Sequence, residues 1–222
     1  MARGLTRANE LILEQRGQFK TEVRLGVSWT LSVHQPVRLL EQMEARNSSN
    51  CVMFVSDHTQ ALIQQVAAGQ LHAALAIDAS QNLPEGLEAQ RFGEEEVSLV
   101  ALGSHAIQGM GYVSLKVVES ETLLWAMPGS SVRRRAEAAL NAAGVNAAQH
   151  LELGGFLAVR EALLEGRGMA FLPRSMVRRE LSAGWLTAVG LEVASFTLGY
   201  HVVSPPQALL SSATRSILNL VK

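Results

Sequence analysis

The segment that most restricts the fold is Gly154–Leu186, GGFLAVREALLEGRGMAFLPRSMVRRELSAGWL. Leu157, Val159, Ala162, Leu163 and Leu164 recur at close to helical spacing, so the pattern predicts an amphipathic helix over Phe156–Glu165 with one buried face. Gly166 and Gly168 follow, where a helix end favours a residue that tolerates positive φ. Met169–Leu172 is a short all-apolar run, the pattern of a strand covered on both faces in a parallel sheet. Pro173 ends it, and a second helix is expected up to Gly184, another C-terminal stop, before a further strand. The turns of this helix–strand–helix unit carry no catalytic side chain. That points to a chain that holds a small molecule rather than transforming it.

The same alternation runs through the rest of the sequence. Strands are expected at Val23–Ser28, Asn50–Ser56 and Ala73–Ile77, and helices at Leu31–Arg46 and Thr59–Ala68. Strands alternating with helices imply right-handed crossovers and a parallel sheet. Gln81–Leu87, QNLPEGL, is the first proline- and glycine-rich break, following a strand taken to cross between two halves. Glu96–Gly103 opens the second half, with a helix at Val132–Ala143. Ser195–Ser204 is read as a strand returning to the first half, and Gln207–Val221 as a closing helix. Residues 2–20 read as a charged helix with Leu11, Ile12 and Gln15 on its drier stripe.

Three segments in this order resemble the effector-binding domain of LysR-type transcriptional regulators. They are Gly154–Leu186, Ser104–Arg135 (SHAIQGMGYVSLKVVESETLLWAMPGSSVRRR) and Val23–Asp78. Ala106–Ile107 stand where that family usually has Pro–Leu, and Ala73–Ala74 replace a usual acidic pair. The resemblance implies an α/β fold of two Rossmann-like lobes joined by two crossing strands, like type 2 periplasmic binding proteins. It implies a linker helix remnant at 1–21, lobe I at 22–79 and 195–222, and lobe II at 80–194. Leu5–Ala8, LTRA, matches the end of the family's winged helix-turn-helix, so DNA would be read only through an N-terminal unit outside this chain. A small-molecule effector in the interlobe cleft, a dimeric or tetrameric assembly and RNA polymerase are the partners this implies.

Which residues meet a ligand follows first from topology, because open α/β sheets bind at the carboxyl ends of their strands. That rule nominates Ser28, Trp29, Thr30 and Ser32 before the first helix, and His58 and Thr59 before the second, with Ser56 or Asp57 as N-cap. Asp78 is expected at the end of the crossing strand. Ser130 and Ser131 follow Gly129 at a helix start suited to an anion, and Gly154, Gly155 and Phe156 form a turn that lets backbone approach a ligand. The resemblance independently implies Ser28, Thr30, Asp78, Ser130 and Gly154, although Asp78 and Gly154 stand where some members carry hydroxyls. Hydroxyls at helix starts have a purely structural alternative, capping, and so do the glycines, as tight turns.

Composition removes other classes. A formal net charge of −1 argues against nucleic-acid binding by this chain itself. The single cysteine, Cys51, cannot form an internal disulfide and is expected to be a small buried hydrophobe. Six histidines without an H-x-x-x-H pair, and no cysteine pair, speak against a metal enzyme. There is no G-x-S-x-G and no G-x-G-x-x-G after a strand, which weakens hydrolase and dinucleotide readings. No cofactor and no metal is expected, and no apolar stretch is long enough to span a membrane. A cytoplasmic, non-enzymatic sensor is the expectation. The competing one is a solute-binding protein that delivers a ligand to a transporter.

Overall fold

The computed structural model describes residues 22–46, 48, 50–193 and 196–221. The expected linker helix at 1–21 and Ser195 lie outside the described residues. The chain forms two compact units, one up to Gly93 and again from Gly199, the other from Glu94 to Leu198. The changeovers fall inside strands, past the sequence boundaries at 79/80 and 194/195, because a strand's residues belong to whichever neighbours they pack against.

In the first unit, β1 (Glu22–Ser28) lies between β2 (Cys51–Asp57) and β3 (Ala73–Ile77), parallel to both. All five residues of β3 are buried, as expected for a strand covered on both faces. Ala74 and Ala76, two residues apart, share a face. Their small side chains admit the helix α3 (Thr59–Ala67): Leu62 and Val66 pack with Ala74, and Ile63 packs with Ala76. Each such fully buried leucine or isoleucine contributes about 1.5–3 kcal/mol. Beyond β3 the sheet continues through β10 (Thr197–Ser204), antiparallel to β3, and then β4 (Glu88–Leu102).

Several expectations need correction here. The helix predicted over Leu31–Arg46 is broken into α1 (Trp29–Ser32) and α2 (Gln35–Ala45). Pro36 sits in the first turn of α2, where its missing N–H is harmless; in a continuous helix its ring would clash with the preceding turn. The first crossing strand is β4, fifteen residues long and running from one unit into the other, whereas β3 stays within the first unit. Cys51 is exposed rather than buried, because β2 is the edge strand of the sheet. The closing helix is only α7 (Ser212–Leu218), preceded by a short 3-10 turn over Gln207–Leu209.

In the second unit, β4 is flanked by β8 (Ala170–Pro173) and β9 (Leu186–Leu191), both antiparallel to it. The buried run Met169–Leu172 was expected in a parallel sheet. It pairs instead with the crossing strand, and only Met169 makes a parallel bridge, to Leu123. β5 (Tyr112–Val113) adds to β9, while β6 (Thr122–Trp125) and β7 (Gln149–Glu152) form a parallel pair. The helix α4 (Ser131–Ala143) buries Val132, Ala136 and Leu140, four residues apart, and stops at Gly144, whose φ of 65° is left-handed. The helix α5 (Phe156–Leu164) buries Val159 and Leu163 against Leu124, Ala170 and Leu172. After Pro173 comes a 3-10 turn and the short α6 (Arg178–Ser182), held by Arg160 on Glu180 at 2.6 Å.

Candidate functional site

At the end of β1 the chain turns into α1 with Ser28 as N-cap, at φ −59° and ψ 145°. A serine here normally accepts a hydrogen bond from the first turn. Ser28 makes none: its side chain is 4% exposed, and its Oγ has no hydrogen-bond partner among the described residues. Two other serine caps behave differently. Ser114 Oγ accepts from the Lys116 N–H, and Ser211 Oγ accepts from the Thr214 N–H. Thr30 is buried. Ser32 does not cap the helix as expected; standing at its last position, its hydroxyl donates to the Trp29 carbonyl at 2.7 Å.

The turn from β2 to α3 is built on Asp57. The N-cap is His58 rather than Ser56 or Asp57, because Asp57 points back to accept from His58. Its Oδ1 takes the His58 backbone N–H and lies 2.8 Å from the ring Nδ1, while its Oδ2 accepts from the Gln65 amide at 3.3 Å. Burial opposes ionisation of Asp57, but the hydrogen bonds from the His58 side chain and backbone outweigh it and hold the carboxyl below its usual range. The His58 ring stacks on Trp29, with centroids 5.8 Å apart and planes 19° from parallel. Thr59, nominated for a ligand, is committed within the fold: its buried hydroxyl donates to the Ile77 carbonyl and accepts the Ile77 N–H, both at 3.2 Å.

Asp78 follows β3, not a crossing strand, in the left-handed conformation (φ 52°). Its N–H donates to the Gly199 carbonyl and its Oδ1 accepts the Gly199 N–H, at 2.8 and 2.9 Å. This carboxylate pins β10 to β3 within the first unit.

In the second unit, Ser130 is the N-cap of α4 and again makes no capping bond. Ser131 is buried and accepts from Arg134 at 3.1 Å, and the same guanidinium bonds the Gly129 carbonyl. Gly154 has φ 73°, which explains the glycine; Gly155, the extended N-cap of α5, has open space where a Cβ would stand. Phe156 is half-buried and packs on the second unit's core, a structural duty.

One cluster escaped sequence reading. Trp125 Nε1–H donates to His150 Nδ1 at 2.8 Å, with the Arg133 guanidinium over the indole at 5.4 Å. Arg133 also binds Glu137 and Glu152, both at 2.8 Å, beside a recess of about 460 Å³. The residues lie on β6, β7 and α4, and only the parallel pairing brings them together; the arginine run had looked like a solvated face. Among the described residues, no group of three or more His, Cys, Asp or Glu side chains could hold a metal ion.

With this geometry in hand, comparison with known proteins is informative. A family model described as the LysR substrate binding domain matches residues 16–222. The HTH-type transcriptional regulator CysL of Bacillus subtilis is 24% identical over 162 residues, 73% of this chain and 54% of that protein. The chain spans about half the length of the curated relatives it matches first. Among solved structures, the Synechocystis PCC6803 CcmR regulatory domain in complex with 2-PG superposes with a TM-score of 0.77 at 19% identity, covering 90% of this chain and 95% of that one. The effector binding domain of QuiR in complex with shikimate gives 0.73 at 11% identity, covering 91% and 96%. These likenesses show the fold, and the family model covers all the described residues. The chain belongs to the LysR substrate binding domain family.

Proposed function

We propose that this chain is the effector-sensing domain of a LysR-type transcriptional regulator, with a small molecule taken up at the strand ends described above. The observation that carries this reading is the Ser28 hydroxyl: buried, at an N-cap, and without a partner among the described residues. Buried hydroxyls are paired in the great majority of proteins, and leaving one unpaired costs about 1–3 kcal/mol. A ligand that completes the hydrogen bond recovers that cost. Thr30, with Trp29 and His58 in the first unit, and Ser130, with Gly154 and Gly155 in the second, are the further groups assigned to effectors, each within its own unit. Ser32, Thr59 and Asp78 keep, in this reading, the structural bonds they already make. Family membership and regulator relatives favour sensing over delivery to a transporter.

The chain acts by binding and not by catalysis. An effector regulates only if it binds two states of the protein with different affinity. The output passes to DNA through a winged helix-turn-helix outside this chain, in a cytoplasmic homo-oligomer, with RNA polymerase as a further partner. None of the described helices is long and apolar enough to cross a membrane. Self-association runs through the first unit. Of Val37, Leu39, Leu40 and Met43 on α2, Leu39 and Met43 are buried in their own subunit, so Leu40, 46% exposed, and Val37, 56% exposed, present the contact.

The test is a thermal-shift screen of small carboxylates, phosphate esters, amino acids and sugar acids on this chain. A true effector at a hundredfold its dissociation constant adds about 2.7 kcal/mol of stability. Absence of any hit across these classes counts against the reading.

A further inference from the structure

At the other end of the first unit's sheet lies a recess that the sensing site does not use. β10 runs antiparallel to β3, with Tyr200 beside Ile77 and Val203 beside Ala74. Its last residues therefore lie by the start of β3, away from the strand ends that carry Ser28 and Asp78. Pro205 and Pro206 follow at once and take the chain off the sheet, since neither can donate to a strand ladder. The returning helix α7 has only seven residues, about 10 Å of helix, and buries Ala213, Thr214 and Ile217 as it packs on β1. It is too short to cover the start of β4 and the end of β10 as well. Between them is a recess of about 650 Å³, a volume in the range of small-molecule sites. Every residue that lines it belongs to the first unit.

The lining has two characters. Phe92, Val202, Leu210 and Leu218 form an apolar wall, and the Phe92 ring lies against Tyr200 with centroids 5.9 Å apart. Arg215, three residues before Leu218, shares that face of α7. Its Nη1 donates to the Leu210 carbonyl at 2.9 Å and to the Gln207 carbonyl at 3.4 Å. These bonds fix the guanidinium without neutralising it, and no carboxylate pairs with it among the described residues. The Nε and Nη2 donors are left, and that edge of a guanidinium matches both oxygens of a carboxylate. The other charged groups of the lining are Glu88 and Arg91, so cations outnumber anions. We infer that this recess is a second small-molecule site and that it takes an amphipathic carboxylate, its acid on Nε and Nη2 of Arg215 and its hydrocarbon body against the apolar wall. Burial of the body supplies most of the affinity, and the arginine selects the acid over a neutral analogue. The site stands apart from the sensing site and does not depend on it.

Calorimetric titration of the intact chain with 3-phenylpropanoate, with its neutral amide and with acetate tests this. 3-Phenylpropanoate is expected to bind tightest. The amide is expected to be weaker by about tenfold or more, because a charge-assisted pair is lost, and acetate by a similar factor, because the apolar contacts are lost. Arg215→Lys keeps a charge but not the fork, and should weaken the acid about tenfold while leaving the amide nearly unchanged. Because Arg215 also ties down two carbonyls, thermal melting is measured alongside. Gln90→Trp fills the recess from an exposed position on β4 without touching those bonds, and should abolish binding of the acid at an unchanged melting temperature. Equal affinity for acid and amide, retained binding in Gln90→Trp, or no saturable binding of the acid overturns the inference. So does a probe that is lost in Ser28→Ala and indifferent to Arg215→Lys, since it would sit at the sensing site; that outcome supports the sensing site while removing the second one.

Discussion

Replacing Ser28 with alanine separates a ligand-binding serine from a capping one by the sign of its effect on stability. In the ligand-free protein, Ser28 Oγ is buried and has no hydrogen-bond partner among the described residues, so it contributes a desolvation cost of about 1–3 kcal/mol and no compensating bond from them. Deleting one small buried atom group costs at most about 0.8 kcal/mol in lost packing. Ligand-free Ser28→Ala is therefore expected to be as stable as the parent or up to about 2 kcal/mol more stable. For a chain of this length each kcal/mol moves the melting temperature by roughly 2–4 °C. Effector binding, in contrast, loses about 1–3 kcal/mol, which is roughly five- to 150-fold in dissociation constant. The assays are thermal unfolding without ligand and calorimetric titration with the best compound from the screen. Ser211→Ala is the matched control: Ser211 does cap its helix, accepting from Thr214 at 3.1 Å, so its loss is expected to cost about 1 kcal/mol of stability and leave binding alone. A Ser28→Ala protein that melts lower by more than about 1 kcal/mol and binds normally refutes the reasoning, because it would show a structural serine.

Four other outcomes are expected. Thr30→Val and Ser130→Val should each weaken effector binding by about 1–3 kcal/mol with little change in ligand-free melting, read by the same two assays. Glu180→Gln should destabilise the second unit by about 1–3 kcal/mol, since Glu180 is buried and its carboxylate holds Arg160. Burial pushes the Glu180 carboxyl up, but backbone and Arg160 hydrogen bonds outweigh this and leave it below the usual range. Its contribution is thus present above the ordinary carboxylate range and lost as pH falls through the lowered folded value, so the gap between parent and variant in thermal melts should close in acid. Leu40→Asp should shift the chain toward monomer in sedimentation at micromolar concentration while its melting temperature holds, because this side chain is 46% exposed. The chain alone should show no sequence-selective retardation of duplex DNA, given its net charge of −1.

Element identity was legible wherever a local pattern decides it. The run AALAI at 73–77 is strand, the spacing of Leu62, Ile63 and Val66 is helix, and the glycines at 144, 154, 166 and 184 stand at positive φ beside helix ends or turns. Such features follow from periodicity and backbone sterics, which act over a few residues. The Gly154–Leu186 segment carried the family resemblance for the same reason: its turns and buried run are local.

Partnership was not legible, because it depends on which strand lies next to which. Met169–Leu172 has the composition of a parallel core strand, yet its neighbour is the crossing strand β4, which runs against it. Thr59 looked available from its helix-start position, and only the closeness of β3 shows its hydroxyl committed to Ile77. Asp78 likewise reads as a free carboxylate until β10, more than a hundred residues later, brings Gly199 to it. The Trp125–His150–Arg133 cluster exists only through the pairing of β6 with β7 and the packing of α4. The sequence places a serine at 28 and predicts that it begins a helix. Only the tertiary structure buries that hydroxyl without a partner among the described residues, since burial is a property of everything packed around a residue and not of the residue itself.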